Sequence, residues 1–86
     1  MTVEQLNLEA ARWTKDYLSR EKLGSSEELQ MLAASYAQLF LSACENKSTT
    51  ALSDAHNTIA NCFKKLGDEK WEHRHRSMAE AYENQN

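Results

Sequence analysis

No proline occurs anywhere in the 86 residues, and glycine stands only at Gly24 and Gly67. Such a chain lacks the usual breakers, so only capping residues can divide it. Valine and isoleucine appear once each, as Val3 and Ile59, against eleven alanines. Strand formers are nearly missing and helix formers dominate, which predicts an all-α fold. A chain of this length folds as one compact domain, too small to enclose a large cofactor.

The caps divide the sequence into four helices, at about residues 3–23, 26–45, 51–66 and 69–83. Thr2 with Gln5 reads as a capping box opening the first, and Gly24 as its left-handed terminator. Val3, Leu6, Ala10, Trp13 and Tyr17 step by three and four, which predicts one buried face. Ser25 with Glu28 opens the second helix. Leu29, Leu32, Tyr36, Leu39, Phe40 and Ala43 make it apolar on most sides, leaving Ser35, Gln38 and Ser42 as a narrow uncharged strip toward solvent or a partner. Asn46 to Thr50 is expected to be a loop, with Thr49 or Thr50 capping the third helix. That helix buries Leu52, Ala55, Ile59, Cys62, Phe63 and Leu66 and stops at Gly67. Asp68 caps a fourth helix with a thin apolar side of Trp71, His75, Met78, Ala79 and Tyr82, fraying after Glu83. Tight turns at the glycines make successive helices antiparallel, so the expected architecture is a small four-helix bundle of two antiparallel helical hairpins.

Charge narrows the function classes. Ten Lys and Arg face thirteen Asp and Glu, a formal net charge of -3 spread evenly along the chain. That balance does not favour non-specific nucleic-acid binding. Glu4 and Glu9 interrupt any signal-peptide pattern, and the uncharged stretch Leu29–Cys44 is too short and polar to span a bilayer. A cytoplasmic protein with reduced cysteines and no membrane contact is expected.

Chemistry-bearing patterns are few. His73 and His75 lie about 200° apart on a helix and cannot share a metal ion. Ser53, Asp54 and His56 point in different directions on one helix, and neither glycine belongs to a phosphate loop. Cys44 and Cys62 fall in apolar stripes, about 15 Å apart along an antiparallel pair, so a disulfide is not expected. The helix-turn-helix pattern fails at both glycines, where Arg20 and Phe63 stand for the small residue and Gln30 and His73 for the aliphatic one. No cofactor, metal or enzymatic activity is therefore expected.

The densest polar feature runs from Lys64 to Arg76, with five basic and three acidic side chains. Lys64, Lys65, Trp71, Arg74 and Arg76 are the candidates there for holding an anion or a nucleic-acid backbone. The competing expectation is a solvated helix face on which Glu72 pairs with Arg76.

Ile59-Ala60-Asn61-Cys62-Phe63-Lys64-Lys65-Leu66-Gly67-Asp68 resembles the first helix and turn of a tetratricopeptide repeat. Ala79 fits that family's later small position. Glu72, Arg76 and Asn84 depart from it, where the family has a small residue, an aromatic and often proline. The resemblance, over residues 59–82, implies one degenerate helical hairpin of that packing type, in a family whose usual work is protein binding.

A helical chain lacking catalytic, metal and phosphate features is expected to act by contact, as an adaptor, an inhibitor of a larger protein or a self-associating subunit. Leu8, Leu18, Met31 and Leu41 lie off the main stripes and are the candidates for a partner face or homodimer seam. The alternative is a nucleic-acid-linked regulator using the Lys64–Arg76 segment. Small accessory proteins of phages and mobile elements are a source of such chains.

Overall fold

A computed structural model describes residues 1–45 and 48–85, so Asn46 and Lys47 of the expected loop, and Asn86 of the expected frayed end, lie outside the described residues. Four helices follow one another: α1 (Val3–Ser19), α2 (Ser25–Cys44), α3 (Thr49–Lys65) and α4 (Glu69–Glu83). The all-α class and the small helical bundle are as the sequence indicates. Tyr17 bonds Gln30 while Asn7 bonds Ser42 and Glu45, which sets α1 antiparallel to α2. Ser53 meets Ala79 while Phe63 stacks on Trp71, which does the same for α3 and α4.

Most caps behave as local chemistry dictates. Thr2 and Gln5 exchange both hydrogen bonds of a capping box. The Asp68 carboxylate accepts the Trp71 N–H at 3.2 Å. Gly67 has φ 76°, the left-handed region where a side chain would be strained. Around it the Asp68 N–H reaches Phe63 O and the Gly67 N–H reaches Lys64 O, the paired bonds that close a helix end.

Three boundaries differ from expectation. The first helix ends at Ser19, because Arg20 is extended at φ -75°, ψ 139° and pinned from three sides. Its guanidinium pairs with Asp16 and Glu27, and its carbonyl accepts the Lys65 ammonium. Gly24 therefore does not terminate α1. It precedes α2 at an ordinary φ of -75° and donates its N–H to the Glu27 carboxylate at 3.0 Å, replacing the expected Ser25–Glu28 box. In α3 the cap is Ser48, whose hydroxyl accepts the Ala51 N–H, so Thr49 and Thr50 are already helical.

The faces differ more than the ends. The inward face of α2 is Met31, Ser35 and Ser42, the first two fully buried, so the strip expected to meet solvent is turned into the molecule. Size explains this orientation: a serine lets a neighbouring helix come close, and the Ser35 hydroxyl donates to Leu32 O of its own helix at 2.8 Å. In α1 the buried positions are Ala10, Thr14 and Tyr17, and the Thr14 hydroxyl donates to Ala10 O. Val3, Leu6 and Trp13, expected in the core, are exposed.

The core lies between the hairpins, where Tyr17, Met31 and Cys62 are packed about by Leu18, Leu23, Leu32 and Leu66. Burial holds the Cys62 thiol pKa above its ordinary value, against a hydrogen bond with Ser35 that lowers it. The fourth helix, expected to be thinly held, packs on α3 more extensively than any other pair. Each helix packs on the next, α1 also touches α3, and among the described residues α1 and α4 make no contact. The result is an open, flattened array of 37 × 33 × 15 Å.

Candidate functional site

The inversion of α2 leaves an apolar face outside. Leu6 is 45 % exposed, Trp13 49 %, Phe40 63 % and Leu29 69 %. Leu6, Trp13 and Phe40 rim a groove of about 550 Å³ between α1 and α2, with Ala10, Ala33, Ala34 and Ala37 among its lining residues and Glu9 the one charged residue there. Trp13 stacks on Tyr17 at 6.0 Å and Phe40 on Tyr36 at 6.5 Å, so each projecting ring leans on one that is better buried. Glu9 sits 3.8 Å from Arg12 across one turn of α1.

The four hydrophobic candidates separate. Leu41 lines this groove and is half-buried. Leu8 is exposed on the other side of α1, in a more polar groove of about 320 Å³ shared with Asn7, Gln38 and Asp54. There the Gln38 side-chain oxygen is buried without a hydrogen-bond partner. Leu18 is half-buried against the core cluster. Met31 is a correction: its place off the main stripe suggested a surface position, yet it is wholly buried, because α2 turns that side toward Tyr17 and Cys62. Sequence periodicity missed Leu6, Trp13 and Phe40 as surface residues. The usable signal was the alanine run Ala33, Ala34 and Ala37 beside them, side chains too small to fill a core position alone.

The basic candidates do not combine into one free cationic surface, which corrects the grouping. Lys65 is bound to the Arg20 carbonyl. Arg76 donates to the Asn57 carbonyl and side-chain oxygen, to Asn61 at 2.6 Å, and at 3.5 Å to Glu72, the pairing expected for a solvated face. Lys64 and Arg74 are exposed, and the Arg74 guanidinium lies 5.1 Å above the Trp71 ring, itself stacked on Phe63.

The fold also joins two histidines that sequence spacing kept apart. The Nδ1 atoms of His56 in α3 and His75 in α4 are 3.0 Å apart, and His75 Nε2 is 2.7 Å from the Tyr36 hydroxyl of α2. Tyr82 stacks on His56 at 5.6 Å and Phe63 on His75 at 5.8 Å. Burial lowers the pKa of both imidazoles, and for His75 the His56 and Arg74 charges lower it further. Burial also raises the Tyr36 pKa, which Arg74 partly opposes. One Nδ1 must donate and the other accept, so neutral rings in complementary tautomers satisfy the pair. Closed in by aromatic rings, this chain of polar groups suits a tie between three helices better than substrate chemistry.

Ser53 and His56, expected to point in different directions, share the side of α3 that faces α4, because residues three apart lie on one helix face. The Ser53 hydroxyl donates to Ala79 O and the Glu83 carboxylate, while Asp54 is exposed. Cys44 and Cys62 are free thiols, one exposed and one buried. Among the described residues no group of three or more His, Cys, Asp or Glu side chains is placed to hold a metal ion, and no helix is long and apolar enough to cross a membrane. Comparison with family models, curated proteins and solved structures finds no match.

Proposed function

We propose that this chain is a small non-catalytic protein-interaction module that meets its partner through the α1–α2 groove. The observation that carries this is the almost wholly apolar groove rimmed by Leu6, Trp13 and Phe40. The largest contiguous apolar patch on a soluble protein is often a binding site. Projecting aromatic side chains beside small-residue hollows are the anatomy of a binding hot spot. The tetratricopeptide-type resemblance of residues 59–82 favours the same class, and the left-handed turn at Gly67 between packed antiparallel helices supports it. The nucleic-acid-linked alternative is weaker, since Lys65 and Arg76 are engaged inside the chain.

A photoactivatable benzophenone residue at position 33, on the exposed side of α2, tests this reading in cells producing the chain. A discrete cross-linked protein product is expected there and not from the same probe at exposed His73 on α4. Absence of any product from position 33, with the probe-bearing chain folded, would overturn the reading.

A further inference from the structure

Resting on the interaction reading above, we infer that the occupant of the α1–α2 groove is a second copy of this chain, docked by a two-fold axis that crosses the alanine floor.

The first support is shape. Trp13 and Phe40 stand at opposite ends of a floor that includes Ala10, Ala33, Ala34 and Ala37. The span from Ala33, at the Trp13 end, to Phe40 is seven residues of α2, roughly 10 Å at the helical rise and close to the width of one helix with its side chains. One face thus holds projections and hollows together. In a two-fold contact a residue of one copy that meets a residue of the other is met in the same way in return. Phe40 of each copy then fills the partner's alanine hollow beside Trp13, and both hollows close at once.

Area gives the second support. From their fractional exposures, Leu6, Trp13, Leu29 and Phe40 offer roughly 450 Å² of apolar side chain per copy. A stable interface buries ~800 Å² per partner, and homodimer interfaces are the more apolar class. The four side chains supply more than half of that, leaving the remainder to the alanine floor, to Val3, which is also exposed, and to a polar rim that includes Glu9 and Arg12.

The third support is charge. Glu9 is the one charged residue lining the groove, and Arg12 stands beside it at 3.8 Å. The wall lacks an excess of either sign that would select an acidic or basic partner. Matching to itself an apolar surface whose one lining carboxylate, Glu9, stands beside Arg12 brings together little unbalanced like charge.

Light scattering and sedimentation equilibrium on the full chain, from low micromolar to several hundred micromolar, read the inference directly. Twice the 9.9 kDa chain mass is expected at the upper end. Phe40→Glu and Trp13→Glu place a charge at largely exposed positions and should keep the helical circular dichroism while shifting dissociation at least tenfold toward monomer. Leu8→Glu, on the opposite side of α1, should leave the mass unchanged. A 9.9 kDa particle at every concentration would overturn the second-copy inference. In that case a cross-link from position 33 to a different protein would leave the interaction reading standing, and no cross-link would remove both. A dimer that survives Phe40→Glu and Trp13→Glu, or is lost with Leu8→Glu, would overturn the assignment of the face.

Discussion

Acidification should loosen this fold through His56 and His75 before any carboxylate of ordinary pKa titrates. Both imidazoles are buried, and burial lowers the pKa of each in the fold relative to ~6.5 in the unfolded chain. The unfolded state therefore binds more protons as pH falls, and stability present above pH ~6.5 is lost below it, until the folded pKa is reached. A histidine that stays neutral in the fold gives a slope of at most about 1.4 kcal/mol per pH unit, and two give about 2.8. The lower figure is the better guide. With the Nδ1 atoms 3.0 Å apart the pair can share one proton, while a second would set two N–H groups against each other. Tyr36 from α2, Tyr82 and Arg74 from α4 and Phe63 from α3 surround the pair, and none brings a carboxylate that would favour the charged form. Urea unfolding followed by circular dichroism between pH about 7.5 and 5.5 should show a loss of about 1–2 kcal/mol. The double variant His56→Gln, His75→Gln should have a nearly flat profile in that window, whatever its absolute stability. The His73→Gln control, at an exposed position, should keep the wild-type slope. A flat wild-type profile, or an unchanged slope in the double variant, would refute the reasoning.

Met31→Ala should cost about 2–5 kcal/mol in the same assay, as expected of a wholly buried side chain; a change near zero would argue that α2 is rotated and Met31 exposed. Gly67→Ala meets no neighbour within 4 Å, yet forces a side chain into φ 76°, so a destabilisation of about 1 kcal/mol is expected from backbone strain alone. A stabilised variant would show that the turn is not left-handed. Cys44 should react with a thiol reagent in the native state while Cys62 reacts only on unfolding, so two equally fast native equivalents would contradict the burial of Cys62.

What could be read from the sequence depended on the range of the interaction. Thr2 with Gln5, Asp68, and the Gly67 turn are satisfied within a few residues, and local chemistry specifies them. The end of α1 is not local, because Arg20 is held extended partly by Lys65, 45 positions away. The orientation of α2 escaped for a different reason. Polarity was expected to point Ser35 and Ser42 outward, but the Ser35 hydroxyl is satisfied by its own helix, so its small volume decides instead. Phe40 is large and apolar and yet outside, a choice that no period of 3.6 residues encodes when both sides of a helix are uncharged. The histidine pair was recoverable in principle. Residues at similar distances from the Leu66–Gly67 turn come together across α3 and α4, and His56, ten before Leu66, and His75, eight after Gly67, fall within one helical turn of that register.

The open array has a consequence for the order in which the molecule can be made. Helices adjacent in the chain are adjacent in space, and among the described residues α1 does not meet α4. Few distant segments must find one another, which favours rapid folding from local pieces. During synthesis the α1–α2 hairpin emerges first, with Met31, Ser35 and Ser42 on one side and Phe40 with its alanine floor on the other, neither yet covered. The arrival of α3 buries the first side. The second side stays open after α3 and α4 have docked, so a nascent α1–α2 hairpin already presents the surface proposed above for association.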